Sequence, residues 1–264
     1  MRIGFIGCGN MATAMIKGIL DSQKVKTEDV IASAKSEKTR EKIKAELGIN
    51  AARKNKEVVE FSDILFLAVK PQYYEEVIQE IKDDIRENQM IVSIAPGKTL
   101  AWLAERLGEN KKIIRTMPNT PAMVKEGMMG MCRNDLVTED EMQQVKDICE
   151  SFGKAEVVPE SLIDVVVGVS GSSPAYVFMF IEAMADAAVA DGMPRTQAYK
   201  FAAQAVLGSA KMVLETGKHP GELKDMVCSP GGTTIEAVRV LEEKGMRSAV
   251  IEASRACVKK ARDM

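Results

Sequence analysis

Histidine is almost absent from this chain of 264 residues. The single example, His219, is followed by Pro220 in a predicted loop. A catalytic histidine base, a histidine dyad or a histidine-rich metal site needs imidazole groups in a defined cluster. The composition therefore argues against all three kinds of site, and we expect no bound metal.

Paired cysteines are missing as well. The five cysteines are scattered and form no C-x-x-C pair: Cys8, Cys132, Cys149, Cys228 and Cys257. An odd, unclustered set favours reduced thiols over a disulfide framework or a zinc site. We therefore expect a cytoplasmic protein.

The chain has neither a strong charge nor a long uncharged apolar segment. Its formal net charge is −2, so no basic field attracts nucleic acid or an anionic membrane. The most apolar helix-length run, 175–190, carries Glu182 and Asp186 and is too short to span a bilayer. The N-terminus enters a strand pattern at once, without the layout of a signal peptide. We expect no nucleic-acid partner and no membrane partner.

A glycine-rich turn follows the first apolar run, residues 2–6, and opens a predicted helix. Its sequence is Gly7-Cys8-Gly9-Asn10-Met11-Ala12, a G-x-G-x-x-A pattern. Gly7 permits the tight turn, Gly9 lets a pyrophosphate approach the backbone, and Ala12 keeps the helix close to the strand. The position directly after a first strand predicts that these six residues bind a dinucleotide.

The end of the second predicted strand, 30–33, indicates which dinucleotide binds. An NAD site usually has an acidic residue here to bind the ribose hydroxyls. This chain has Ser33, Ala34, Lys35 and Ser36 instead, and no acid until Glu37. Hydroxyl groups and a lysine would hold a 2′-phosphate, so we predict NADPH as the cofactor, with NADH as the alternative. Under the other interpretation, Lys35 only caps a solvated loop.

Strands and helices alternate through the first half of the chain. Further apolar strands are predicted at 63–69, 90–94, 112–116 and 155–158, and helices at 38–47, 73–85, 100–107 and 138–151. This alternation predicts a Rossmann-like, doubly wound α/β sheet, whose ligands lie beyond the carboxyl ends of the strands. The residues expected at those ends are Ala68, Val69, Lys70, Pro71, Ala95, Gly97 and Asn119. Taken singly, each could equally be a plain turn.

No strand pattern is visible after residue 162. We therefore predict a dinucleotide-binding domain, 1–160, followed by an all-helical substrate-binding and dimerisation domain, 161–264. Residues 170–174, Ser-Gly-Ser-Ser-Pro, are predicted to cap and start a helix. That helix, 175–190, is apolar nearly all round, and a small helical domain cannot hide it alone. Association with a second subunit is the economical explanation.

A second anion site is predicted near the C-terminus, at Ser229-Pro230-Gly231-Gly232-Thr233-Thr234. The turn's free N–H groups and the positive end of the helix that follows would hold a small anion, with the Thr234 hydroxyl at the rim. We expect this turn to meet the Gly7–Gly9 loop in space. The alternative is an ordinary N-capped helix start.

A nicotinamide cofactor brings hydride transfer, so the protein must position a substrate and stabilise charge. Carbonyl reduction also calls for a proton donor, and the helical half offers no plausible one. A C=N substrate relaxes that demand, because water can protonate an imine. The glycine turn would supply backbone N–H groups for a carboxylate, and Thr234 a hydroxyl for the nitrogen. This chemistry points to an imino acid.

Five motifs occur in an order that resembles the pyrroline-5-carboxylate reductase family over essentially the whole chain. They are Phe5-Ile6-Gly7-Cys8-Gly9-Asn10-Met11-Ala12, Phe66-Leu67-Ala68-Val69-Lys70-Pro71, Met117-Pro118-Asn119-Thr120-Pro121, Ser170-Gly171-Ser172-Ser173-Pro174-Ala175-Tyr176 and Ser229-Pro230-Gly231-Gly232-Thr233-Thr234. The resemblance implies reduction of 1-pyrroline-5-carboxylate to L-proline by NAD(P)H, the last step of proline biosynthesis. It also implies a homodimer interlocked through its helical domain, with dimers often assembling into decamers.

The resemblance assigns site residues by position. Substrate positions fall on Thr233, Thr234 and, at the domain junction, Glu160. Cofactor positions fall on residues 7–12, Ala34, Asn55, 68–71 and 95–97. Two departures stand out: Ser173 replaces a glycine found in many members, and Ala34 replaces a hydroxyl residue found in some. The 2′-phosphate contact would then pass to Ser33, Lys35 or Ser36.

Two other classes stay open. A β-hydroxyacid dehydrogenase would share the fold but needs a catalytic lysine early in its second domain, and no plausible one follows Ser170. A dinucleotide-binding regulator without catalysis would have no reason to keep Thr234 beside an anion turn.

Overall fold

The structure is a computed structural model that describes residues 1–263, and its first half contains one sheet of eight strands. The strands are β1 Ile3–Ile6, β2 Val30–Ser33, β3 Asn50–Ala52, β4 Ile64–Leu67, β5 Met90–Ser93, β6 Lys112–Met117, β7 Gly127–Arg133 and β8 Gly153–Val157. Their order in the sheet is β3-β2-β1-β4-β5-β6-β7-β8. Strands β1 to β6 pair in parallel, which confirms the predicted doubly wound α/β fold.

Helices cover both faces of this sheet. They are α1 Asn10–Asp21, α2 Glu37–Leu47, α3 Asn55–Phe61, α4 Tyr74–Ile81, α5 Leu100–Leu107 and α6 Glu139–Cys149. Helices α1, α2 and α6 share one hydrophobic core with the sheet, and α3, α4 and α5 share the other. Strands β1, β2, β4 and β5 are buried along their whole length, as expected of strands covered on both sides.

Three elements of the sheet domain were not expected from the sequence. Strand β3 has three residues and helix α3 has seven, so their periodic patterns are too short to recognise. Strand β7 reads Gly-Met-Met-Gly-Met-Cys-Arg, a composition with little intrinsic strand preference. Pairing holds it in place, antiparallel to β6 and parallel to β8. Tertiary contacts therefore override the local preference here.

The second half of the chain is helical, as predicted. It contains α7 Ile163–Val166, a π-helical turn at Val167–Gly171, α8 Ser173–Ala190, α9 Arg195–Thr216, α10 Pro220–Val227, α11 Thr233–Glu243 and α12 Met246–Arg262. By their contacts, Met1–Ser172 and the chain end from Cys257 form one compact unit, and Ser173–Ala256 form a second. The division predicted after residue 160 stays a prediction about folding domains.

Helix α8 begins at Ser173 with Pro174 in its first turn, as residues 170–174 predict. The helical turns before α8 were not predicted. They run from Glu160 through the π-helical turn, in which the Ser172 N–H donates to the Val167 carbonyl at 2.8 Å. Pro174 has no N–H to offer the carbonyl of Ser170, four residues earlier. The side chain of Asn119 donates to that carbonyl instead, at 3.0 Å.

With the helical turns before α8 included, the apolar helical segment is longer than the predicted run, 175–190. Its 31 residues, Glu160–Ala190, make one helical segment within residues 1–263 that is long and apolar enough to cross a membrane by length and composition alone. Within α8, Ala185 is buried, whereas Phe178 and Met179 are more than 60% exposed. Burial of this exposed apolar surface against another protein surface would stabilise the helix.

We predict that Gly18→Ala destabilises the sheet domain. A Cβ at Gly18 in α1 would lie 2.6 Å from the Phe152 Cβ and 2.9 Å from the Ser151 carbonyl oxygen. Overpacking of this kind costs about 1–3 kcal/mol, against a helix-propensity gain of about 1 kcal/mol. Urea unfolding at fixed protein concentration should show a lower midpoint. The control Lys17→Ala, on the exposed face of α1, should change little, and a stabilised Gly18→Ala variant would contradict the close packing.

Candidate active site

A cavity of about 390 Å³ lies at the carboxyl ends of the parallel strands. It is lined by the start of α1 and by the turns after β4, β5 and β6: Gly9, Asn10, Met11, Ala12, Ala68, Val69, Lys70, Pro71, Ile94, Ala95, Pro96, Met117 and Pro118. Parallel strands end at the same edge of a sheet, so these turns meet although they are distant in sequence. We call this space the turn cavity. It brings together half of the predicted cofactor-binding residues.

The two glycines of the G-x-G-x-x-A turn meet different constraints. Gly7 has a φ of +91°, and a Cβ there would lie 2.8 Å from the Val69 side chain and 2.9 Å from the Ala68 carbonyl oxygen. Gly9 has an extended backbone, and a Cβ there would meet nothing within 4 Å. Gly7 therefore serves the tight turn, and Gly9 leaves its backbone open to the cavity.

Helix α1 presents its N-terminus to this open space. Gly9 is its N-cap residue, and no side chain caps the helix. The first N–H groups of a helix and its positive dipole end form a ready anion site. Backbone access at Gly9, uncapped N–H groups and the absence of a filling side chain all fit a dinucleotide pyrophosphate.

Cys8 lies between the two glycines without adding charge. Its Sγ is 3.7 Å from the Thr13 hydroxyl oxygen, and the residue packs partly buried against the core. Burial raises the pKa of the Cys8 thiol, so the group stays neutral near pH 7. A neutral thiol does not repel a phosphate.

A second cavity, of about 230 Å³, lies beside the end of β2. We call it the ribose cavity, and its lining residues are Gly7, Ser33, Ala34, Lys35, Asn55, Val69, Tyr73 and Val77. The Ser33 hydroxyl donates to the Asn55 side-chain oxygen at 2.7 Å and accepts from the Gly7 N–H at 3.4 Å. These bonds tie the tip of β2 to the glycine turn.

The groups predicted to bind a 2′-phosphate already have partners in the chain. The Lys35 ammonium lies 2.9 Å from the Glu76 carboxylate of α4, whose hydrogen bond and negative charge raise the pKa of Lys35. The Ser36 hydroxyl caps α2 by accepting from the Thr39 N–H. A 2′-phosphate would therefore have to compete with the Glu76 carboxylate for Lys35.

Sequence reasoning missed Arg40 in this region. Its guanidinium donates to the carbonyl oxygens of Ala34 and Lys35 at 2.8 and 2.9 Å. It therefore fixes the loop that lines the ribose cavity and adds positive charge beside it. A basic residue in the first turn of the helix after β2 is the signal that could have found it.

Four predicted cofactor residues line neither cavity: Cys8, Ser36, Gly97 and Asn119. Nor does Glu160, which was predicted to bind the substrate. Gly97 has a φ of +73° in the turn after β5. Asn119 is buried, donating to the Ser170 carbonyl and accepting from the Met128 N–H at 2.9 Å. Its polar atoms therefore serve the fold.

Glu160 is held by a buried arginine. Its carboxylate accepts from the Leu100 N–H at 2.7 Å, at the start of α5, and from Arg115 at 3.1 Å. Arg115 is 2% exposed and also reaches the Asp164 carboxylate at 3.0 Å. Pairing on both sides compensates for burial of the guanidinium charge. This cluster ties the start of the long helical stretch to the sheet.

In the C-terminal unit, the Pro-Gly-Gly-Thr-Thr segment has the predicted turn geometry. Gly232 is the N-cap of α11 and donates to the Ser229 carbonyl at 3.0 Å. Gly231 has a φ of +68°, and a Cβ at Gly232 would lie 2.4 Å from the Ser229 hydroxyl. The positive φ favours glycine at position 231, and a side chain at position 232 would require the Ser229 hydroxyl to move.

The two threonines that follow, Thr233 and Thr234, begin helix α11. No side chain caps α11, and within residues 1–263 neither Thr233 nor Thr234 makes a side-chain hydrogen bond. The helix start therefore has the unclaimed N–H groups of an anion site. The predicted approach of this turn to Gly7–Gly9 stays a prediction.

Two family models match the chain. One, for pyrroline-5-carboxylate reductase dimerisation, matches residues 160–264, and one described as NADP oxidoreductase, coenzyme F420-dependent, matches residues 2–97. The pyrroline-5-carboxylate reductase of Escherichia coli strain K12 is 58% identical over 98% of this chain and 97% of its own length. The chain belongs to the pyrroline-5-carboxylate reductase family.

More distant members agree with this assignment. The pyrroline-5-carboxylate reductase of Methanosarcina acetivorans is 45% identical over 96% of this chain and 93% of its own. The crystal structure of Plasmodium falciparum pyrroline carboxylate reductase with NADP bound is 32% identical, with a TM-score of 0.91. It covers 100% of this chain and 97% of that chain. The family resemblance inferred from the motifs is confirmed over the whole chain.

Family membership also explains why helices α8 and α9 expose large apolar side chains. The dimerisation model spans the part of the chain in which α8 and α9 expose apolar side chains. Those more than half exposed are Phe178, Met179, Phe201, Leu207 and Leu214. The C-terminal helices are therefore a self-association region, as their apolar composition predicted.

No group of three or more histidine, cysteine, aspartate or glutamate residues suited to a metal ion occurs in the part of the chain that the structure describes.

We predict that Gly9→Ala weakens NADPH binding without destabilising the free protein. The added methyl group meets nothing within 4 Å but occupies the space assigned to the pyrophosphate. A clash of roughly 1–3 kcal/mol corresponds to about 5- to 150-fold in affinity. Calorimetric titration should show the loss, and the melting temperature of the free protein should be unchanged. Wild-type affinity would place the nucleotide elsewhere.

We also predict that Glu76→Gln raises the affinity for NADPH and leaves that for NADH nearly unchanged. The substitution frees Lys35 and removes a charge that repels the 2′-phosphate. Both side chains are largely exposed, so the gain should be modest, about 2- to 5-fold. Dissociation constants for the two nucleotides give the ratio. Glu28→Gln, in the exposed pair with Lys26, is the control, and equal gains for both nucleotides would contradict the prediction.

Proposed function

We propose that this protein reduces 1-pyrroline-5-carboxylate to L-proline with NADPH, the last step of proline biosynthesis. The observation that carries the proposal is the open backbone of Gly9 at an uncapped helix start, which is a nucleotide site within a whole-length member of this family. NADPH, when bound, supplies a hydride to the carbon of the C=N bond. The imine nitrogen is protonated, so the product is a cyclic secondary amine.

The residues proposed to hold the nucleotide come from both cavities and the adjoining turns. They are Gly7, Cys8, Gly9, Asn10, Met11, Ala12, Ser33, Ala34, Lys35, Ser36, Asn55, Ala68, Val69, Lys70, Pro71, Ala95, Gly97 and Asn119. Fifteen of these lie in the G-x-G-x-x-A turn, at the end of β2 and in the turns after β4 and β5. Asn55, at the start of α3, accepts a hydrogen bond from Ser33. Asn119 and Ser36 would act through the backbone that they hold in place.

The residues proposed for the substrate are Ser229, Gly231, Gly232, Thr233, Thr234 and Glu160. The N–H groups at the start of α11 would bind the carboxylate, and the Thr234 hydroxyl would hydrogen-bond the ring nitrogen. Thr234 is thus the proposed catalytic residue, because this bond strengthens as charge changes on the nitrogen. Glu160 is already paired with Arg115, so its contribution would be to position α5.

For the assembly, we propose a homodimer that buries the apolar faces of α8 and α9, with five dimers forming a decamer. Five cysteines without disulfide partners support a reducing, cytoplasmic location. The predicted boundary between domains, after residue 160, coincides with the start of the matched dimerisation region.

The direct test is oxidation of NADPH by the purified protein in the presence of 1-pyrroline-5-carboxylate, with NADH in parallel. Substrate-dependent loss of absorbance at the reduced-nicotinamide band, faster with NADPH, is the expected result. Tight NADPH binding without turnover would favour a β-hydroxyacid dehydrogenase or a non-catalytic regulator instead, and β-hydroxyacid substrates would then be tested.

We predict that Thr234→Ala lowers turnover and leaves NADPH affinity within a few-fold. Loss of one transition-state hydrogen bond costs roughly 10- to 1,000-fold in rate. Thr234→Ser keeps the hydroxyl and should recover most of the rate. Steady-state kinetics with a parallel NADPH titration separate the two effects. Unchanged kinetics in Thr234→Ala would remove Thr234 from the site.

A further inference from the structure

Three hydroxyl side chains are buried beneath the turn cavity. Tyr74 and Ser93 are 0% exposed and Thr116 is 1% exposed. Tyr74 opens α4, Ser93 ends β5, and Thr116 is the penultimate residue of β6. A buried hydroxyl without a partner is costly, so each of these groups needs a hydrogen bond.

Their hydrogen bonds form one chain across three neighbouring strands. The Tyr74 O–H donates to the carbonyl of Leu67, the last residue of β4, at 2.6 Å. The Ser93 hydroxyl donates to the Tyr74 oxygen at 3.2 Å, and the Thr116 hydroxyl donates to the Ser93 carbonyl at 3.0 Å. We call Tyr74, Ser93 and Thr116 the hydroxyl chain. It joins the ends of β4, β5 and β6 by side-chain bonds.

The residues that follow each bonded strand end line the turn cavity. Ala68 follows the carbonyl held by Tyr74, Ile94 follows Ser93, and Met117 follows Thr116. A shift of the hydroxyl chain is therefore passed directly to the backbone of three cavity-lining turns.

The Tyr74 hydroxyl remains protonated, and so able to donate a hydrogen bond, at neutral pH. Burial raises the pKa of Tyr74 to about 12, so the phenol is protonated at neutral pH. The group thus acts as a fixed donor to β4 and acceptor from β5. Its ring packs tilted against Trp102 of α5 at 6.5 Å, which further limits its movement.

We propose that Tyr74, Ser93 and Thr116 are positioning residues that set the spacing of the turns after β4, β5 and β6 for the nicotinamide half of the cofactor. This inference rests on the proposed placement of the nucleotide in the turn cavity. The adenosine half is assigned to the ribose cavity, whose lining includes none of the three residues. Loss of one hydroxyl should therefore affect the two halves of the nucleotide unequally.

The test uses Tyr74→Phe and Thr116→Val, which remove the hydroxyl groups and keep most of the volume. Calorimetry measures the dissociation constants of NADPH and of adenosine 2′,5′-bisphosphate, which carries only the adenosine half. The matched control is Ser62→Ala. Ser62 is also fully buried and hydrogen-bonded, to the Val58 carbonyl at 2.7 Å, but it precedes β4, at the far end of that strand.

Tyr74→Phe and Thr116→Val should each raise the dissociation constant of NADPH about 3- to 10-fold, the range for one hydrogen bond. The constant for adenosine 2′,5′-bisphosphate should stay within about 2-fold, and turnover at saturating NADPH should fall because the nicotinamide is less well oriented. Ser62→Ala should change neither constant, even where it lowers the melting temperature to the same extent.

Unchanged NADPH affinity in both variants, or equal losses for the two ligands, would overturn the positioning role. A proportional loss with Ser62→Ala would do the same, because it would indicate general loosening of the sheet. If NADPH did not bind in the turn cavity at all, the result would differ, because Gly9→Ala would then bind NADPH like the wild type. The two failures are thus distinguishable.

Discussion

The parallel strands end at one edge of the sheet, and this shared edge determines where the ligand-binding turns lie. Strands β1, β4, β5 and β6 end at this edge, so their turns surround one cavity. The cavity stays open because Gly9 has no side chain, and α1 directs unclaimed N–H groups into it. Three features stabilise this arrangement: burial of the apolar strands, hydrogen bonds of hydroxyl groups at the strand ends, and the short glycine turn.

Much of the fold could be predicted because the local sequence of most elements favours the structure that they adopt. Strands buried on both faces have continuous apolar sequences. Helix α5 has the predicted bounds, 100–107, because Thr99 caps its start and Gly108 follows its end. Strand β7 could not be predicted, since glycine and methionine dominate it and pairing with β6 decides its conformation. The helical turns before α8 could not be predicted, since Asn119, 51 residues earlier, satisfies the Ser170 carbonyl that Pro174 cannot.

In the candidate site too, features set by neighbouring residues could be predicted, whereas contacts between residues distant in sequence could not. The glycine turn and the turns after β4 and β5 were recognisable from motifs and strand ends. The ion pair of Lys35 with Glu76 was not, because it depends on how α4 lies beside the end of β2. Arg40 was missed since its contacts with the loop at 34–35 appear only once α2 is placed. The Glu160 carboxylate looked free, and only the fold reveals buried Arg115 beside it.

We propose that the dinucleotide lies across the ribose cavity and the turn cavity. A crystal structure of the protein with NADPH would test this placement. We expect the pyrophosphate on the backbone N–H groups at the start of α1, the 2′-phosphate near Lys35 and Arg40, and the nicotinamide over the turns after β4 and β5. A nucleotide bound away from Gly9, or with its adenosine half at the turn after β5, would show that this placement is wrong.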